Sequence, residues 1–360
     1  MSTKTQKSKG DYFKNREKET LGSHSLEVVV PFPKNALIEL NSSCNHACVF
    51  CTNPRMNRKS SSMSVELFEL FIQEAVSLGL SEVGFYTTGE PLMHKNITEF
   101  ISIAHKAGVP YIYITTNGAL ASLDKIKKLI DSGLNSIKFS INAGTSETYK
   151  LIHGRDDFDT VLMNLRTIKD YIVENELKVR LLSSFIATKY SEHEVDQYAE
   201  LISPLVDDYA VIGIGPQGGQ SLAELNALRS ELSLPAPELG TAKPCGMLWS
   251  RLHLTQEGYF SLCCIDYENN LIYSKYEPGK LLESWNSETM QSMRQKMLDQ
   301  RLEGTLCHNC LYSEEKEFTP LMELDFPQKD SSRSRQDVWN RITILSQRRS
   351  PKTIDTLEEE

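Results

Sequence analysis

From Ala36 to Ile214 the sequence keeps repeating one pattern, short apolar runs separated by amphipathic stretches. The runs are Leu37 to Leu40, Val83 to Tyr86, Tyr111 to Thr115, Ser136 to Ile141, Val179 to Ala187 and Tyr209 to Ile214. Between them lie helical patterns such as Ser64 to Leu78, with Val65, Leu67, Phe68, Phe71, Ile72 and Ala75 on one face, and Asp124 to Asp131. Six strands alternating with helices predict an α/β fold: a parallel sheet with right-handed crossovers and helices packed outside. Two architectures meet this, an open doubly wound sheet and a barrel.

The flanks differ. Residues 1–33 are polar and Lys-rich around Val28, Val29 and Val30, closed by Pro31 and Pro33, and read as a flexible leader before a core over 34–235. Gln217, Gly218 and Gly219, a Leu-rich helix and the Pro-rich stretch Leu234 to Pro244 mark a boundary, after which 236–315 form a smaller unit. Its middle, Leu281 to Leu302, has the pattern of one helix, with Trp285, Met290, Met293 and Met297 for packing. Residues 316–360 are rich in Asp, Glu, Arg and Ser and read as a polar tail, mobile or loosely docked.

At 360 residues there is room for about two domains of roughly 150 residues each. A balance of 39 Lys and Arg against 48 Asp and Glu, a formal charge of -9, argues against holding nucleic acid by broad phosphate neutralisation. No apolar run approaches the roughly 20 residues of a membrane span, and no signal peptide opens the chain. The expected location is the cytoplasm, with no membrane or nucleic-acid partner.

In a reducing cytoplasm clustered cysteines read as metal ligands or redox groups rather than disulfides. Of the 8 cysteines, Cys44, Cys48 and Cys51 form C-x-x-x-C-x-x-C just after the first predicted strand, and the other five lie between Cys245 and Cys310. A zinc site of four cysteines normally draws on a nearby partner pair, yet no cysteine occurs between Cys51 and Cys245. Three thiolates in one loop suit a 4Fe-4S cluster that keeps one iron open.

With Phe50 immediately before Cys51, this motif resembles that of the radical S-adenosylmethionine (SAM) superfamily. The resemblance continues after the second strand, where Thr87, Thr88, Gly89, Glu90 and Pro91 are similar to the segment that binds the SAM amino group, with Thr88 in place of a glycine. It implies contacts from backbone groups around Thr88 and Gly89, supported by Glu90. At the ends of strands three and four, Asn117, Ser140 and Asn142 are implied to meet the SAM ribose or carboxylate, although relatives often carry Asp at the position of Asn142. Capping of the following helices is the other reading of these three, and Arg155 stands open between SAM contact and a surface ion pair.

The second group, Cys245, then Gly258 and Cys263, then Cys307 and Cys310, resembles the start of a SPASM domain, and Gly279 to Ser287 supports the likeness. No cysteine follows Cys310, as in the shortened, one-cluster twitch form. Four thiolates suffice to ligate a second, auxiliary 4Fe-4S cluster; a zinc ribbon is the competing reading. Cys264 is left over, with three roles open: replacing Cys263 as ligand, giving a hydrogen atom to a substrate radical, or packing.

The resemblance implies a partial (β/α)6 barrel with a smaller C-terminal auxiliary-cluster domain. It implies reductive cleavage of SAM to a 5'-deoxyadenosyl radical that abstracts a hydrogen atom from a small-molecule or peptide substrate, fed by a flavodoxin- or ferredoxin-type electron donor. The short leader favours oxidation or epimerisation of a sugar-like or polyol metabolite over peptide crosslinking. A non-catalytic iron-sulfur or zinc scaffold is the reading from another class, and the Gly89, Glu90, Pro91 and Asn117 features argue against it.

Overall fold

The computed structural model describes residues 7–13, 15 and 26–347. In chain order its strands are β1 (Lys7–Ser8), β2 (Asn35–Ile38), β3 (Glu82–Phe85), β4 (Tyr111–Thr116), β5 (Ser136–Ser140), β6 (Arg180–Ala187), β7 (Asp208–Gly213), β8 (Arg251–Leu254), β9 (Tyr259–Ser261) and β10 (Ile272–Lys275). The helices are α1 (Val65–Ser77), α2 (Ile97–Lys106), α3 (Leu123–Asp131), α4 (Ser146–His153), α5 (Phe158–Glu174), α6 (Val195–Ile202), α7 (Leu222–Leu228), α8 (Met247–Ser250), α9 (Leu281–Trp285), α10 (Glu288–Leu298), α11 (Leu306–Tyr312) and α12 (Ser332–Gln347).

All ten strands form one sheet in the order β1-β7-β6-β5-β4-β3-β2-β8-β9-β10. Strands β2 to β7 run parallel and neighbour one another in chain order. Every crossover therefore steps the same way, and right-handed crossovers that never reverse put all their helices on one face. A doubly wound sheet needs a reversal of strand order; its absence selects the partial barrel. Alternation within strands agrees: Val83 and Phe85 of β3 and Ile137 and Phe139 of β5 are fully buried in the core shared with Phe68, Phe71 and Phe100 of the outer helices. Lys138, between two such residues, faces the other way, its Nζ 5.5 Å over the Tyr86 ring.

Three expectations are corrected. The leader is not loose where it is described: β1 pairs antiparallel with β7, and the carbonyls of Glu27 and Pro31 accept from the indoles of Trp249 and Trp285 at 2.7 and 2.9 Å. Arg294, buried over the Trp285 ring, adds a bond to Val28 O at 2.9 Å. The stretch Leu281 to Leu302 is two helices rather than one, because Ser287 turns extended and caps α10, its side chain accepting from Met290 N. The polar tail contains α12, which buries Val338, Ile342 and Leu345 against Val49, Phe50, Ile152, Ile214 and Leu222; residues 348–360 lie outside the described part. Among the described residues no helix is long and apolar enough to cross a membrane.

Candidate active site

The loop carrying Cys44, Cys48 and Cys51 leaves β2 at the carboxyl end of the sheet, where parallel strands present ligands. Its backbone is tied down on alternate residues. Ala47 N and Val49 N donate to the carbonyls of His153 and Ile152 at the end of α4, at 3.0 and 2.9 Å. Buried guanidinium groups take the carbonyls: Arg341 of α12 binds Ala47 O at 2.6 Å, and Arg55 binds Val49 O at 3.1 Å and Cys51 O at 2.7 Å. Each sulfur meets a different donor or partner. Asn117 Nδ2 is 3.9 Å from Cys44, His153 Nδ1 3.5 Å from Cys48, and Tyr267 OH 3.3 Å from Cys51.

Burial pushes the Cys44 thiol up to about 12, with Glu90 and Cys51 adding to it, and burial then Cys51 and Cys44 push Cys48 up as well. Thiols that raise one another in this way ionise only beside a cationic centre. The nearest other metal-binding groups, His46 and His153, are engaged with each other and with Asp157 and Asn142. Three soft donors without a fourth fit a 4Fe-4S cluster with one open iron.

The turn after β3 packs directly onto this loop. A Cβ on Gly89 would lie 2.3 Å from Asn41 O and 2.7 Å from Ser43 O, so only glycine lets the two backbones approach. Glu90 is buried and acts as a bracket: Oε1 accepts from Leu92 N and Thr116 Oγ1, Oε2 from Asn117 N at 2.8 Å. Burial raises its pKa against these bonds. Thr88 turns its hydroxyl to Glu39. Asn117, at the end of β4, reaches Asn45 Oδ1 at 2.8 Å. Ser140 ends β5 half-buried, while Asn142 is buried with Nδ2 toward His153 and Oδ1 accepting from Ile186 N at 2.8 Å. Phe50 packs into the apolar cluster under α12. Arg155 lies near enough to His46 to help lower its pKa, behind the larger effect of burial.

The second group is assembled from three separate elements. Cys245 precedes α8, Cys263 follows β9, and Cys307 and Cys310 lie one turn apart on α11. Burial pushes Cys307 up, with Cys310 and Cys245 next, and burial pushes Cys310 up to about 11. Helix α11 is held by the loop after β7: at Gly219, φ 80°, a Cβ would lie 2.6 Å from Cys310 N. His308 Nδ1 and Asn309 Oδ1, between the two helical cysteines, are buried with no partner among the described residues. Four converging thiols with such polar atoms around them fit a fully ligated cluster.

Between the groups lies a small recess lined by Glu39, Thr87, His253, Cys264, Asp266 and Asn269 among others. Thr87 Oγ1, His253 Nε2 and both amide atoms of Asn269 are buried and have no partner among the described residues. Behind its lining residue Glu39 lies Arg58, bonding Glu39 at 3.0 Å, Glu257 at 3.2 Å and Tyr267 O at 3.1 Å. Burial opposes its charge, but Glu39 and Glu257 outweigh that and raise its pKa. Sequence reasoning found the cysteines but missed Arg55, Arg58, His153, His253, Tyr267 and Arg341, whose partners are far away in the chain.

Two family profiles match the chain, the radical SAM superfamily over residues 38–202 and an iron-sulfur cluster-binding domain of SPASM type over 245–311. The chain thus contains a radical SAM domain and, C-terminal to it, a SPASM-type iron-sulfur domain, and these two domains imply SAM, a 4Fe-4S cluster and an auxiliary cluster as cofactors. A probable GTP 3',8-cyclase of Metallosphaera sedula is 30% identical over 183 residues, 50% of this chain and 56% of that protein. The chain thus spans just over half the length of the curated relatives it matches. Streptococcus suis SuiB bound to precursor peptide SuiA has a TM-score of 0.60 at 16% identity, covering 85% of this chain and 77% of that one. BtrN in complex with AdoMet and 2-DOIA gives 0.54 at 18%, covering 79% and 93%. These two share the fold.

Proposed function

We propose that this radical SAM enzyme abstracts a hydrogen atom from a small, polyhydroxylated, sugar-like substrate and oxidises or epimerises it, with Cys44, Cys48 and Cys51 holding the SAM-binding cluster and Cys245, Cys263, Cys307 and Cys310 the auxiliary one. The observation that carries this reading is the recess. Its unpartnered atoms, an oxygen acceptor or donor on Thr87, an imidazole acceptor and a full amide, call for hydroxyl groups. When bound, the clusters and SAM supply one-electron chemistry: SAM is cleaved reductively to methionine and a 5'-deoxyadenosyl radical, and the auxiliary cluster offers an electron acceptor.

The chain's residues do the rest. His253 Nδ1 lies 3.3 Å from Ser261 O, a donor's position, which leaves Nε2 to accept from a substrate hydroxyl. Thr87 and Asn269 orient the ring, and Cys264, on the recess wall, is placed to return a hydrogen atom if the outcome is epimerisation. A flavodoxin- or ferredoxin-type protein in the cytoplasm supplies the reducing electron.

The test is anaerobic reconstitution with iron counting, then incubation of reduced enzyme and SAM with a panel of polyols, aminocyclitols and sugars, with GTP and short peptides alongside. Deuterium passing from a labelled polyol carbon into 5'-deoxyadenosine supports the proposal. Transfer from GTP, the substrate named for the curated relatives, or from a peptide alone overturns the substrate class. Solvent deuterium entering the product in wild type but not in Cys264→Ala selects epimerisation.

A further inference from the structure

Helix α4 ends in a histidine whose every ring contact has a fixed direction. His153 is fully buried and stacked on Tyr149, ring centroids 4.0 Å apart and planes 13° from parallel. Asn142 sets one side. Because its Oδ1 accepts from Ile186 N at 2.8 Å, Nδ2 is the atom turned to His153 Nε2, at 3.2 Å. The backbone N–H of Asn142 points at the same nitrogen from 3.4 Å. A ring nitrogen that receives two N–H groups presents its lone pair, so the ring proton sits on Nδ1. Nδ1 lies 3.5 Å from Cys48 Sγ and 3.2 Å from His46 Nδ1. His46 Nε2 is in turn 3.1 Å from Asp157 Oδ2; it donates to that carboxylate and leaves its own Nδ1 as an acceptor, so the single Nδ1–H of His153 is bifurcated between His46 Nδ1 and Cys48 Sγ.

We propose that Asn142, His46 and Asp157 fix the tautomer of His153 so that its Nδ1–H, shared with His46, is directed at the Cys48 sulfur, making His153 a positioning residue that eases reduction of the SAM-binding cluster. The proposal rests on Cys44, Cys48 and Cys51 being that cluster's ligands. An N–H directed at a ligand sulfur draws off negative charge, and hydrogen bonding to cluster sulfurs is one of the main determinants of reduction potential. It also gives Cys48 a polar partner beside that of Cys51, Tyr267, so sulfurs of one loop are addressed by groups from distant parts of the chain.

The experiment uses reconstituted wild-type enzyme grown on ¹⁵N-histidine. Pulsed EPR is recorded on the reduced cluster whose signal shifts on adding SAM. One histidine ¹⁵N coupling is expected, lost in His153→Phe. The midpoint potential of the same cluster should fall in His153→Phe and recover in part in His153→Gln, whose amide restores a donor. A wild-type spectrum without histidine coupling overturns the proposal, as does an unchanged potential in His153→Phe. If that variant fails to take up iron, the wild-type spectrum and His153→Gln decide by the same criteria. Wild type with no SAM-responsive cluster at all sinks the ligand assignment, and the proposal with it.

Discussion

The two cysteine groups are built on opposite plans. Cys44, Cys48 and Cys51 share one loop, and the fold's work there is to hold that loop open, through Arg55, Arg341 and the end of α4. Cys245, Cys263, Cys307 and Cys310 come from three elements, so their convergence is itself a product of tertiary structure. A loop-borne site depends on its clamps; an assembled site also cross-links the fold that makes it.

The sharpest way to break this comparison is to remove one cysteine from each. Cys48→Ala should reduce 5'-deoxyadenosine formation to background with little change in thermal stability. Cys307→Ala should keep measurable SAM cleavage yet lose full turnover and lower the Tm. Equal loss of SAM cleavage in both variants would show that the sites are not separable.

Next in size is the clamp. Ile342→Ala should cost about 2–5 kcal/mol for a buried aliphatic side chain, and truncation after Lys329 should speed iron loss from the first site in air while iron at the second stays. Loss from both at one rate would mean that α12 supports the whole fold and not the loop.

A smaller effect is expected at the second site. Thr305 caps α11, its hydroxyl accepting from His308 N at 3.3 Å; Thr305→Ala should cost about 1 kcal/mol, read as a lower Tm of the iron-free protein. Smallest is a pH effect beside the first site. His94 follows the Glu90 turn, with Nε2 3.2 Å from Met63 O and Nδ1 accepting from Asn96 N. Burial holds its pKa below 6.5, so below that pH the unfolded chain binds more protons and stability falls as pH drops toward the folded value. His94→Gln should flatten the dependence of Tm on pH between 7 and 5.

Periodicity and spacing were enough to read the six parallel strands and the two cysteine groups, because each of these is a local pattern. The barrel became readable once strand order was known, and strand order is not local. Helix α12 was legible in principle, since Val338, Ile342 and Leu345 recur at helical spacing, but charged neighbours on its other faces give the segment the composition of a loose tail. Glu27 to Pro31 read as leader for a similar reason: what pins them is a pair of indole donors and Arg294, more than two hundred positions away. Recognising His153 required knowing that Asn142 and Cys48, on different loops, meet at one ring.

Strand β8 continues the barrel sheet, parallel to β2 from Asn35 beside Arg251 to Ile38 beside Leu254. The C-terminal region is therefore not a lid on a hinge, because swinging it away would tear a row of backbone hydrogen bonds. The pairing ties the base of the C-terminal region to the strand from which the loop of Cys44, Cys48 and Cys51 departs. Any opening for substrate therefore falls to side chains and loops at the rim rather than to a swing of the whole C-terminal region.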